Sequence, residues 1–196
     1  IFFVSEFVFL FIYRLFYGHK YIVPKKINFK DIYVEPHPYL PFIYKKNFEG
    51  PDSERLNYDL NNKYFSSKLK TNNLGFYNGS DGSRNIEMPK PKNLYRINCI
   101  GGSTTGNYIF FENKNYSYPI ELEEILKKNS KKEIEVNNCA EGGYNSADLL
   151  VRFALQIIDT KPDMVIIYHG YNDGRAYLTP DFKSDYSHSI KNFGNI

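Results

Sequence analysis

The second half of the chain alternates between two spacings of apolar residues. LYRINCI, residues 94–100, is a short apolar run that reads as a strand. SYPIELEEILKK, residues 117–128, reads as a helix: Ser117 stands where a cap belongs, Pro119 fits the first turn, and Glu residues precede Lys residues. KEIEVNNC, residues 132–139, is the next strand. SADLLVRFALQII then puts Leu149, Leu150, Phe153, Ala154, Ile157 and Ile158 on one predicted helix face, and KPD ends it. MVIIYHG, residues 164–170, is a continuous apolar run, as expected of a strand buried on both faces. Strand, helix, strand, helix, strand implies parallel βαβ units with right-handed crossovers, hence an α/β fold.

The first half lacks such a rhythm. IFFVSEFVFLFIYRLF opens the chain with only Ser5, Glu6 and Arg14 as strongly polar interruptions. It is shorter than the ~20 residues a membrane span needs. Residues 1–17 are expected to be the second half of a transmembrane or signal-anchor helix, with Arg14, Lys20, Lys25 and Lys26 as its basic flank. Residues 18–92 are rich in Pro, Asn, Lys and Tyr. VEPHPYLPF favours extended backbone, and TNNLGFYNGSDGSR reads as turns, so this region is expected to be an irregular lid or linker with short strands. Residues 93–196 then form the α/β domain.

Composition narrows the function classes. In 196 residues, 42% hydrophobic and 24% charged, there is material for one globular domain plus an appendage. A net charge of +3 and scattered Lys residues give no electrostatic footprint for nucleic acid. Cys99 and Cys139 fit neither a zinc pattern nor a disulfide framework and are expected to be buried thiols. No metal site and no cofactor is expected.

The candidate chemistry lies in the loops that follow the three strands: GGSTTGN, AEGGYNS and GYNDGR. In a parallel sheet all three leave the carboxyl edge. If the first strand lies between the other two, Ser103, Gly143 and Asn172 surround one crevice at a topological switch point. Other glycine-rich readings fail on residues. No Lys follows Gly106 as a P-loop requires, GGSTTG is not a dinucleotide fingerprint, and Thr105 stands where the second Gly of a G-x-S-x-G elbow belongs.

The set GGST, EGGYNS and GYND resembles the SGNH (GDSL-like) hydrolases over about residues 70 to 196. The resemblance implies a flavodoxin-like parallel sheet in a three-layer α/β/α arrangement. It also implies a serine ester hydrolase in which Ser103 is the nucleophile, while Gly143, the Asn172 side chain and the Ser103 N–H form an oxyanion hole. Gly102 stands where the family often carries Asp; the GGS variant, the hydrophobic start, PHPYLPF and NNLGF resemble its membrane-anchored bacterial members. By that analogy the protein is a single-pass membrane protein with an extracytoplasmic domain, and its substrate is a small-molecule or glycan ester on the cell surface. O-acyl transfer, or a non-catalytic role in polysaccharide modification, is the alternative.

The general base is the open point. The family carries it as Asp-x-x-His near the C-terminus. Of the four histidines, His19 is expected at the membrane interface, His37 in a structural role, and His169 as a packed strand-end residue near the crevice. Asp185 and His188 have the right spacing but follow Asn172 too closely, so DYSH reads as a loop; the catalytic Asp and His are expected beyond Ile196, and residues 1–196 are expected to be a fragment that is inactive alone. A non-catalytic binding protein would lack that block altogether. A nucleotide-binding flavodoxin-like module lacks its Lys and its acidic ribose partner.

Overall fold

The computed structural model describes residues 33–51, 68–79, 82–106, 110–111, 114–115, 117–178 and 181–186. The expected membrane helix of residues 1–17 lies outside them. Among the described residues no helix is long and apolar enough to cross a membrane.

In chain order the elements are strands β1 (Val34–Glu35), β2 (Ile43–Tyr44), β3 (Glu49–Pro51), β4 (Lys68–Lys70) and β5 (Leu94–Gly101), then the one-turn helix α1 (Ser103–Gly106). Strands β6 (Phe110–Phe111) and β7 (Lys114–Asn115), helix α2 (Tyr118–Asn129), strand β8 (Glu133–Asn138), helix α3 (Ser146–Arg152), strand β9 (Met164–Tyr168) and helix α4 (Tyr171–Tyr177) complete the order. Strands β1 with β2, β3 with β4 and β6 with β7 form antiparallel pairs. The principal sheet has the order β8-β5-β9 and is parallel throughout. The fold is thus α/β, with the first long strand in the middle.

Pleating divides the sheet into two unlike faces. Ile97 and Cys99 of β5 and Ile134 and Val136 of β8 form an apolar face under Tyr118, Leu122 and Leu126 of α2. The opposite face carries Arg96, Asn98 and Ile100 beside Glu135 and Asn137. Its upper part joins a core of Leu40, Phe76, Ile86, Cys139, Tyr144, Leu149 and Ile157. Below that core lies a polar seam. Arg96, fully buried, pairs through Nε with Glu135 at 2.6 Å and donates to the carbonyls of Thr160 (2.5 Å) and Glu87 (3.0 Å). Asn98 donates to the Thr160 hydroxyl (2.7 Å), Asn137 to Asn98 (3.0 Å), and Asn78 to Asn137 (2.8 Å). A buried charge or amide is tolerated only when partnered, so this seam fixes which segments cover the sheet.

Those segments come from the region expected to be a lid or linker. Leu40, Phe76 and Ile86 share one core with β5 and α3. Asn72 folds the turn before Phe76, its Oδ1 accepting from the N–H groups of Leu74 and Phe76, both at 2.9 Å. Gly75 has φ +78°, and a Cβ there would sit 2.5 Å from the Tyr44 carbonyl, so both conformation and space select glycine.

Three expectations are corrected. Ser117 occupies the N-cap position of α2, but its side chain makes no capping bond; buried, it accepts from Asn138 Nδ2 at 3.3 Å. Helix α3 does not continue evenly: a π turn spans Phe153–Ile157 and a 3-10 turn Ile158–Thr160. The buried face nonetheless keeps the helical spacing i, i+3, i+8, i+11, offset from the expected apolar stripe. Leu149 and Ile157 point inward with Arg152 and Thr160, while Leu150 and Ile158 are 68% and 49% exposed. Finally, β9 is not buried on both faces. It is the outer strand of the three, and Met164, Ile167 and Tyr168 are exposed.

Phe76→Ala should therefore lower unfolding free energy by ~3–5 kcal/mol, the range for deleting a buried aromatic ring. Urea denaturation checks this, and a loss under ~1 kcal/mol would place Phe76 outside the cooperative core.

Candidate functional site

Because β5 is central and its neighbours are parallel, the loops after β5, β8 and β9 leave one edge of the sheet side by side. They join at Gly101. Its carbonyl accepts from the N–H of Glu141, in the loop after β8, at 3.0 Å. A Cβ on Gly101 would overlap both the Tyr168 carbonyl at the end of β9 and the Thr105 side chain. Thr105 in turn donates to Tyr168 O at 2.9 Å.

Ser103 begins α1 and is exposed. Gly102, immediately before it, accepts from the N–H groups of Thr105 and Gly106, both at 3.0 Å, and so closes the turn that presents the serine. A Cβ on Gly102 would lie 3.0 Å from Asn172 Nδ2 and 3.4 Å from His169 Nδ1. The space next to Ser103 that a larger residue would need is thus occupied from the third loop.

The second loop is held rigidly. Glu141 and Arg152 form an ion pair with side chains 0% and 1% exposed, and the Arg152 guanidinium lies over the Phe76 ring at 4.9 Å. Tyr144 is buried, donates to the Phe42 carbonyl and packs edge-on against the Phe42 ring. The Gly142 N–H is taken by the Tyr44 hydroxyl at 3.2 Å. Gly143 is exposed with φ +81° and nothing within 4 Å of its Cβ position, so conformation rather than crowding selects glycine there. Asn145 and Asp148 then form a reciprocal capping box at the start of α3, each bond 3.0 Å.

Asn172 ties the loops together. Its amide donates to the Tyr144 carbonyl at 2.7 Å, one residue from Gly143, while the same nitrogen borders Gly102. One of its two amide hydrogens is therefore spent on the second loop.

Asp173 is a hub that the sequence reading missed. Its carboxylate accepts from the Ser146 N–H and hydroxyl, both at 3.0 Å, and from the Tyr186 hydroxyl at 2.8 Å. His169 Nε2 lies 2.8 Å from Asp173 Oδ2 without the alignment of a hydrogen bond. Burial pushes the Asp173 carboxyl up, but the donors of Ser146 and Tyr186 and the nearby His169 outweigh it and hold the group below its ordinary value. Burial dominates at Asp148 and raises it. The only trace of this hub in the sequence is that Ser146 closes EGGYNS and Asp173 closes GYND.

The cysteines are free and buried. Burial pushes Cys99 up to about 11 and raises Cys139 further, so neither offers a thiolate near neutral pH. Of the histidines, His37 accepts from the Tyr39 N–H at 3.2 Å, His169 lies between Asp173 and Gly102, and His19 and His188 lie outside the described residues. Asp185 is exposed beside Tyr186, so the Asp185–His188 pair as such also falls outside them. Among the described residues no group of three His, Cys, Asp or Glu side chains could hold a metal ion.

No family model, no curated protein and no solved structure matches the chain.

Gly101→Ala should destabilise the protein by ~1–3 kcal/mol or more, because backbone opposes the new methyl; thermal unfolding measures it. Asp173 yields a pH prediction. Its folded value is depressed, so its contribution is full above the unfolded value of about 3.9 and fades as pH falls through the folded value. The stability gap between the wild type and Asp173→Asn should be widest near neutral pH and shrink in acid; a gap that grows on acidification would reverse the sign.

Proposed function

We propose that the protein is a serine ester hydrolase of the SGNH type, with Ser103 as nucleophile and Gly143, Asn172 and the Ser103 N–H as oxyanion donors. The observation that carries this reading is the position of Asn172 Nδ2, at the place beside Gly102 and 2.7 Å from Tyr144 O. One amide thereby spans the serine loop and the glycine loop.

The chemistry follows from charge. Attack of the Ser103 oxygen on an ester carbonyl breaks the carbonyl π bond and leaves a negative oxygen. Donors fixed before the reaction stabilise that oxygen without reorganising, and losing one typically costs ~10²–10³ in rate. A glycine at φ +81° turns its N–H where an L-residue would be strained. An amide side chain donates without titrating.

Within this reading the sheet belongs to a larger flavodoxin-like three-layer fold. Residues 1–17 anchor the chain in a membrane, and the domain lies on the extracytoplasmic side. The acyl substrate is a small-molecule or glycan ester.

The test treats the full-length protein with a fluorophosphonate probe and p-nitrophenyl acetate. Ser103 should be the labelled residue, Ser103→Ala should abolish labelling and turnover, and Asn172→Ala should lower kcat/KM by ~10²–10³. Probe adduct on another residue, or undiminished turnover in Ser103→Ala, would remove Ser103 from the nucleophile role.

A further inference from the structure

The loop after β8 carries two consecutive glycines, Gly142 and Gly143, and either amide has the chemistry of an oxyanion donor. The structure treats the two differently. The Glu141 N–H donates to the Gly101 carbonyl at 3.0 Å, and the Gly142 N–H donates to the Tyr44 hydroxyl at 3.2 Å. The Tyr144 carbonyl accepts from Asn172 at 2.7 Å. The Gly143 N–H, in an exposed residue at φ +81°, has no partner among the described residues. Its neighbours on both sides are spent inside the protein, and it is the amide the loop leaves open.

The group that occupies Gly142 comes from outside the α/β domain. Tyr44 ends β2, 98 residues before Gly142, in the region expected to be a lid or linker. Its ring is 2% exposed and packs against the rings of Tyr33 at 5.3 Å and Tyr77 at 4.8 Å. A phenol whose ring is held on several sides delivers its oxygen to a fixed point. A second tie leaves the same segment: the Phe42 carbonyl accepts from the Tyr144 hydroxyl. Phe42 and Tyr44 thus grip the residues on either side of Gly143.

We propose that Tyr44 is a positioning residue for the oxyanion hole, holding the Gly142 N–H so that the Gly143 N–H is the donor this loop presents to substrate. The inference rests on the reading of Ser103, Gly143 and Asn172 as the catalytic set and adds a part supplied by β2. Two glycines in succession have the widest backbone freedom in the chain, and a donor carried on them is useful only if fixed before the reaction. Tyr44 fixes the Glu141–Gly142 peptide, from which the next peptide, carrying the Gly143 N–H, is turned. Tyr44 acts through Gly142 and needs no contact with substrate.

The experiment measures p-nitrophenyl acetate hydrolysis by the full-length protein. Tyr44→Phe keeps the ring and removes the oxygen, and a thermal melt checks that it folds. Its kcat should fall ~3–10-fold, the worth of one neutral hydrogen bond, with KM unchanged. A ring that only packs predicts wild-type kcat in Tyr44→Phe, and that result overturns the proposal. A rise in KM with kcat intact overturns it too. A second readout needs no variant at Tyr44: in the protein phosphonylated at Ser103, the Gly143 amide proton should shift downfield while that of Gly142 stays in place. A shift at Gly142 instead overturns the assignment of the two amides. Ser103 labelled in the wild type together with an undiminished kcat in Tyr44→Phe removes Tyr44 and leaves the nucleophile standing. No labelling of Ser103 in the wild type overturns both.

Discussion

The close approach at Gly101 is the constraint on which the rest of the structure depends. At this residue β5 ends, and its backbone meets Glu141 from the second loop, Tyr168 from β9 and Thr105 from α1. A side chain there would push β9 away from β5 and separate the third loop from the first. Because the position is bare, the three strand ends lie at one level. Gly102, Gly143 and Asn172 then follow within one or two residues of a fixed point, or within four on the β9 side. Glycine here is selected by packing, whereas at Gly143 it is selected by dihedral angle.

Beneath that edge, the covering of the sheet is decided by polar side chains as much as by apolar ones. Arg96, Asn98, Glu135 and Asn137 would be costly on a face covered by hydrocarbon alone. Their partners are Thr160 at the end of the α3 turns, Glu87, and Asn78. Each belongs to a different covering segment, so the seam specifies register where greasy contacts would tolerate sliding. The same logic selects which face of the segment after Asn145 turns inward: Arg152 faces Glu141, Ile157 the core and Thr160 Asn98, which leaves Leu150 and Ile158 outside.

Asp173 performs a similar service at the carboxyl edge. It joins the start of α3, the end of β9 through His169, and the Phe182–Tyr186 segment, whose rings pack at 5.8 Å. Three neighbouring residues share one carboxylate, so the geometry of the second and third loops is coupled. A change at Ser146 is felt at His169 through a single group.

The sequence by itself determined the alternation of the three parallel strands with the two helical segments between them, and the three loops that carry Ser103, Gly143 and Asn172. Periodicity reports local conformation, and glycine, serine and asparagine report turn chemistry, both of which act over a few residues. Only the tertiary structure decided that Phe76 and Ile86 belong to the core, that Leu150 and Ile167 face outward, and that Ser117 points inward to Asn138 rather than capping its helix. It also decided that Asp173 gathers Ser146, His169 and Tyr186. Those outcomes depend on partners tens of residues away. No local pattern encodes them, because a buried polar group needs one particular partner, whereas an apolar residue needs only some other apolar surface.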